Sequence, residues 1–182
     1  MCWASSTRRR TRLNGESREI VLSSHDAAWA ELFEAERRRL LSVAADAIVQ
    51  IHHVGSTSIP GIAAKPIIDV LVLLRRFLNE DEITSIAAPG YEYRGEQGAP
   101  GRQYFSRRIQ PAFHVHCFLE ENPKAQEMLL FCDYLRSHST TAREYESLKK
   151  ELRVRFRFER YSYQDGKNDF VKETLARARS SP

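Results

Sequence analysis

The order of hydrophobic periodicities along this chain predicts an α+β fold, in which a mixed β-sheet is packed by helices and followed by C-terminal helices. Three observations carry that prediction. An amphipathic segment at helical spacing opens the body of the chain. Two apolar strand-length runs follow it, Ile48 to Val54 and Ile67 to Leu74. The second is apolar on both faces, as a central strand covered by helices is. Two more strand patterns then lead into three helical ones.

Taken in order, Glu19 to Leu22 reads as a short edge strand, and Ser24 and Asp26 offer helix caps. Trp29, Leu32, Phe33, Glu36, Leu40, Val43 and Ala47 recur at helical spacing, so a helix is predicted from Asp26 to about Ala47. Asn79 with Glu82 three residues on signals a capped short helix ending near Pro89-Gly90. Tyr91 to Arg94, a Gly-rich loop from Gly95 to Gly101, and strands at Gln103 to Arg107 and Ala112 to Leu119 come next, the last two as a candidate hairpin. Asn122-Pro123 begins a helix to about Ser137 by the cap-then-proline rule. Thr140 or Thr141 caps a long helix through Tyr145, Leu148 and Leu152, and a last helix covers about Asp165 to Arg179.

The chain has 182 residues, 42% hydrophobic and 29% charged, which suits one domain with a sizeable core. The division expected is a basic, disordered tail over residues 1–18 and a single domain over 19–182. The tail holds Arg8, Arg9, Arg10, Arg12 and Arg18 against Glu16, which is the whole net charge of +4. The body is therefore neutral, which argues against nucleic acid as a partner, since such a partner selects a basic face. No apolar run approaches the roughly 20 residues that span a bilayer, so no membrane association is expected. Cys2, Cys117 and Cys132 lack metal-type spacing and suit a reducing, cytoplasmic setting.

The densest chemistry lies between His52 and Val72. Gly55 permits a tight turn and close backbone approach, and Ser56 and Thr57 add hydroxyls. Thirteen residues after Ser56, Asp69 stands alone in an apolar strand. An acid there is costly unless it is paired. It is either a buried carboxylate bonded to backbone or Lys65, or a ligand for a divalent metal. In Phe113-His114-Val115-His116 the two imidazoles project from one face of one strand. One carboxylate with one or two imidazoles favours Mn²⁺ or Zn²⁺ over Mg²⁺. Asp69, His114 and His116 are expected on adjacent strands, facing one cleft beside the Gly55-Ser56 turn. Lys65, just before the central strand, Arg102, which closes the Gly-rich loop, and Lys167 are candidate phosphate contacts or ordinary surface charges. His53 reads as a core histidine. The run Arg153, Arg155, Arg157, Arg160 reads as a solvated helix face.

These words together resemble the GrpB family. The matching motifs are His53-Val54-Gly55-Ser56-Thr57, Lys65-Pro66-Ile67-Ile68-Asp69, Gly90 to Glu96, Pro100-Gly101-Arg102, His114-Val115-His116, Phe131 to Arg136 and Tyr145 to Lys149, across roughly residues 19–178. The resemblance implies a nucleotidyltransferase-like fold, in a family also found fused to dephospho-CoA kinase. It implies that Gly55, Ser56 and Thr57 hold a nucleoside triphosphate and that Asp69 is the remnant acid of the nucleotide site. The active-transferase pattern has a second acid two residues later, where this chain has Leu71. The function implied is metal-dependent nucleotidyl or phosphoryl transfer to a small molecule. Asp69 and His116 would be the catalytic pair and Asp69, His114 and His116 the metal ligands; Gly55, Ser56, Thr57, Lys65, Arg102 and Lys167 would hold the nucleotide. The alternative is a catalytically silent nucleotide-binding or assisting module.

Overall fold

A computed structural model describes residues 19–180 of the chain. The expectations for residues 1–18 lie outside the described residues. Helix α1 (Ala28–Ala44) is followed by β1 (Ile48–Val54), a single 3-10 turn at Ser56–Ser58, and β2 (Ile67–Leu74). Then come α2 (Glu80–Ala87), β3 (Glu92–Tyr93), β4 (Arg102–Arg107), β5 (Ala112–Leu119), α3 (Pro123–Ser137), α4 (Ser139–Arg155), α5 (Arg160–Asp165) and α6 (Asn168–Ser180).

The strands form one five-stranded sheet in the order β1-β2-β5-β4-β3. Only β2 and β5 run parallel, and β4 and β5 are antiparallel neighbours. The sheet is therefore mixed, and the fold is α+β. Alternation along the two central strands divides it into two faces. Val70, Val72 and Leu74 of β2 and Phe113, Val115 and Cys117 of β5 pack with Trp29, Phe33 and Leu40 of α1 and Ile86 of α2. On the other face Leu71, Leu73 and Phe118 pack with Ala125, Cys132 and Leu135 of α3 and Ala142 and Tyr145 of α4. Cys117 and Cys132 are buried, free thiols in these two layers.

The local signals act as physical chemistry requires. Asn79 accepts from Glu82 N at 2.9 Å while the Glu82 carboxylate takes Asn79 N, also at 2.9 Å, closing a capping box on α2. Asn122 accepts from Lys124 N ahead of Pro123. The Asp26 carboxylate takes Ala28 N, and α1 stops at Ala44, short of Ala47.

Four expectations are corrected. Glu19 to Leu22 is not an edge strand: Ile20 N donates to Arg157 O and Ser23 makes an isolated bridge to Ala64, so the segment lies against the C-terminal helices. There Ile20 joins Leu152 and Tyr163 in a small third core. Helix α4 begins at Ser139, before Thr140, with His138 at its cap and stacked on Tyr134. The last predicted helix begins at Asn168 rather than Asp165, and a short helix not expected from the sequence, α5, precedes it across Gly166 and Lys167. The arginine run is not one solvated helix face, because α4 ends at Arg155. Arg153 Nε donates to Ile20 O and Arg157 Nε to the Glu19 carboxylate.

Candidate functional site

The site lies where strand alternation carries polar side chains onto the α3/α4 face of the sheet. In β2, Asp69 shares that face with Leu71 and Leu73, and in β5, His114 and His116 share it with Phe118. The parallel register sets Asp69 beside His114 and Leu71 beside His116. Asp69 Oδ1 lies 3.1 Å from His114 Nδ1 and 3.5 Å from His116 Nε2. One ligand atom from each of the three residues falls within 4.8 Å of the others, a spacing that can hold a metal ion. Burial opposes ionisation of Asp69, but hydrogen bonds from His114 and His116 outweigh it and hold the carboxyl well below the usual range. Burial pushes the His116 imidazole down, against the pull of Asp69.

The turn after β1 fits against this carboxylate. Gly55 adopts φ 72°, ψ −176°, and a Cβ there would overlap Asp69 Oδ2 and meet its Cγ at 2.9 Å. A glycine is therefore required twice, by the left-handed φ and by the close approach. Ser56 follows it, near enough to the buried Tyr145 hydroxyl of α4 to favour its ionised form against burial. Thr57 is buried, and its hydroxyl is engaged by Ile67 O at 3.2 Å and His53 Nε2 at 3.1 Å. It supports the turn rather than facing the site. His53 stacks on Phe33 with ring centroids 4.9 Å apart, and burial pushes its imidazole down to about 4.

Arg102 closes the Gly-rich loop from within. Its guanidinium donates to Glu96 O and Gln97 O, reaches His116 Nδ1 at 3.2 Å and lies 4.5 Å over the Tyr104 ring. Tyr104 in turn stacks on His116, centroids 5.0 Å apart. Arginine has no acceptor, so His116 Nδ1 must accept. A neutral His116 then carries its proton on Nε2, toward Asp69. A metal on Nε2 requires that proton on Nδ1 instead, and Arg102 must then leave the ring.

Lys65 does not pair with Asp69. Its Nζ lies 4.1 Å from the centroid of Tyr163, and Lys167 Nζ lies 4.9 Å from the same ring. Burial lowers both ammonium groups to about 8, with their mutual repulsion and that of Arg160 adding to the effect on Lys65. The structure thus gathers Asp69, His114, His116, Gly55, Ser56 and Arg102 into one group, sets Lys65 and Lys167 against Tyr163, and turns Thr57 inward. Sequence reasoning missed Tyr104, Tyr163 and Lys149. Lys149 carried a legible signal, since it falls on the apolar stripe of α4 between Tyr145 and Leu152. An open groove of about 810 Å³ lies elsewhere, between α4 and α6, lined by Arg143, Leu148, Phe170 and Glu173 among others. It is mixed in charge and contains none of these site residues. Among the described residues no helix is long and apolar enough to cross a membrane.

Comparison with known proteins agrees with this geometry at the level of family. The chain is 40% identical over 157 residues to the UPF0157 protein YqkA of Bacillus subtilis, which covers 85% of this chain and 46% of YqkA. It is 37% identical to the UPF0157 protein SCO7215 of Streptomyces coelicolor, over 90% of this chain and 86% of that protein. The chain thus spans about half of the first relative and most of the second. A crystal structure of the conserved protein GrpB from Enterococcus faecalis superposes with a TM-score of 0.80 at 34% identity, covering 87% of this chain and 96% of that one. The family profile for GrpB protein matches residues 19–177. On these matches the chain belongs to the GrpB family.

Proposed function

We propose that this chain is a nucleotidyltransferase-like protein that carries out metal-dependent nucleotidyl or phosphoryl transfer on a small molecule. The observation that supports this most is the convergence of Asp69, His114 and His116 beside the Gly55-Ser56 turn, with ligand atoms within 4.8 Å of one another. One carboxylate and two imidazoles suit a transition metal such as Mn²⁺ or Zn²⁺ better than Mg²⁺. When bound, such an ion supplies Lewis-acid polarisation of a phosphoryl oxygen. The chain's own residues do the rest. Gly55 brings backbone against the carboxylate, and Ser56 offers a hydroxyl near Tyr145. Arg102, once released from His116, is free to neutralise charge developing on phosphate.

A second reading has its own support. Leu71, where active transferases carry a further acid, is fully buried in the core under α3. Three ligands from one carboxylate and two imidazoles are fewer acids than a two-metal clamp uses. A silent nucleotide-binding or assisting module would keep the turn and the single ion site.

Titration calorimetry with Mn²⁺, Zn²⁺ and Mg²⁺, with and without ATP, separates the readings. The transferase reading expects Mn²⁺ or Zn²⁺ to bind wild type, to be lost in Asp69→Ala, and to bring ATP turnover in the presence of acceptors. Ion and ATP binding without turnover favours the silent module. If wild type and Asp69→Ala bind ATP equally, with and without metal, Asp69 is structural.

A further inference from the structure

We infer that Lys65 and Lys167, held against the Tyr163 ring beside Asp69 with the exposed Arg160 of α5 nearby, form a metal-independent subsite for a diphosphate group. The inference deepens the proposed function by naming a substrate class. It rests on the phosphate-binding half of that reading and not on the metal.

Four parts of the chain build the subsite. Lys65 comes from the extended segment before β2, Lys167 from the break between α5 and α6, Arg160 and Tyr163 from α5, and Lys149 from α4. The two ammonium groups lie against one aromatic ring, at 4.1 and 4.9 Å from its centroid. Arg160 stands close enough for its charge to act on both lysines and on Tyr104. Cations crowded like this repel one another, and burial raises the cost of each.

No described residue offsets the crowding in full. Among the described residues Lys65, Lys167 and Arg160 form no ion pair; the neighbouring cations Lys150, Arg153 and Arg157 each have an acid. Asp69 faces the group, but its carboxylate already takes both histidines. The Tyr163 ring supplies cation–π attraction, which is a partial compensation. An anion completes it.

The arrangement is also held in place. Helix α4 grips the backbone of Ala63 from both sides: the Glu146 carboxylate takes Ala63 N at 2.9 Å, and Lys149 Nζ donates to Ala63 O. Ala64 is tied to Ser23 by two backbone hydrogen bonds. Lys65 therefore leaves a fixed segment, with Lys149 as a positioning residue behind it. Two lysines held on one ring, with Arg160 nearby, match a diphosphate better than a single phosphate, which carries a charge of about −2 near neutral pH. Arginine and lysine together also suit a ligand with several oxygens to share.

The test is calorimetry in EDTA, at low ionic strength and neutral pH, with pyrophosphate, ADP, AMP and inorganic phosphate. Pyrophosphate and ADP should bind wild type at least tenfold more tightly than AMP or phosphate. Lys65→Met and Lys167→Met should each weaken pyrophosphate at least tenfold and, without anion, melt no lower than wild type, because each removes a crowded charge. Asp69→Ala should keep pyrophosphate binding, so loss of metal binding and loss of this subsite are read separately. A measurement on wild type alone guards against misfolded variants: pyrophosphate should protect Lys65 and Lys167 from chemical acetylation and leave Lys124 and Lys172 reactive. Absence of pyrophosphate binding, equal binding of phosphate and pyrophosphate, undiminished binding by both methionine variants, or no selective protection would each overturn the inference.

Discussion

The two faces of the sheet use the same strands for opposite purposes. Under α1 and α2, β2 and β5 present Val70, Val72, Phe113, Val115 and Cys117 in unbroken apolar rows. Under α3 and α4 the rows change character partway: Leu71, Leu73 and Phe118 are covered by helices, while Asp69, His114 and His116 are only partly covered. The difference shows how this chain makes a site. It keeps one face as pure core and withdraws the helical cover from one end of the other. The acid and imidazoles then stand on rigid central strands while still reaching solvent.

The largest effect expected is from breaking the core face. Val70→Asp sets a carboxylate one residue from Asp69, but into the wholly apolar layer beneath α1. With no partner there, an isolated buried charge should cost several kcal/mol, of the order of about 3–5. The protein should fail to give a cooperative melt. A melting temperature close to wild type would mean that the α1 layer admits water and that the contrast between faces is false.

Gly55→Ala comes next and probes the junction of turn and strand. A left-handed φ at a non-glycine residue costs about 1–3 kcal/mol, and the new Cβ must also displace the Asp69 carboxylate. Stability should fall within that range, and Mn²⁺ or Zn²⁺ affinity should fall at least tenfold. Normal ion binding by a folded Gly55→Ala protein would show that the turn does not set the position of Asp69.

The contrast sharpens when a cap on the structural side is compared with the acid on the site side. Asn79→Ala removes the side-chain acceptor for Glu82 N at the start of α2 and should cost about 1 kcal/mol, with no change in ligand binding. Asp69→Ala should cost no more than that without ligand. It leaves no unpaired carboxylate behind, and a single net hydrogen bond is worth about 1 kcal/mol. Only Asp69→Ala should lose ion binding. Thermal melts of both variants, with and without Mn²⁺, check the pair.

Much of the core face was legible in the sequence, and the site was legible in part, for the same physical reason. The limits of β2 and β5 follow from period-two alternation and apolar content, and that alternation also fixes which face Asp69 and His114 share. Helix α2 follows from Asn79 and Glu82, whose side chains act within one turn. What sequence could not supply depends on contacts between distant segments. Glu19 to Leu22 looks like a strand because Ile20, Val21 and Leu22 are β-formers, yet its partners are Arg153 and Arg157. Thr57 looks like a ligand hydroxyl until Ile67 O and His53 take it. Tyr163 is silent in sequence because its role comes from two lysines reached from separate segments.

The smallest effect expected separates the helical layer from the sheet by its pH dependence. Burial holds Lys65 and Lys167 at about 8 and Lys149 at about 7. In the unfolded chain a lysine keeps its proton to about 10.4. Between those values the unfolded state binds more protons than the folded one, so each lysine makes stability rise with pH from about 7 or 8 toward 10. Below about 7 the three are charged in both states and contribute no slope. The buried thiols act the other way: burial raises Cys132 to about 11 and raises Cys117 as well, so they erode stability once unfolded thiols ionise near about 8.5. Comparing wild type with Lys149→Met cancels the thiols, which both proteins share. Between pH 7 and pH 9 the wild-type melting temperature should gain on that of the variant by about 2–4 °C, on the order of 1 kcal/mol for a chain of this size. Losing the bond to Ala63 O shifts the whole variant curve downward without changing its slope. Parallel curves would mean that Lys149 is charged in the fold across this range and that α4 holds the Lys65 segment as an ammonium throughout.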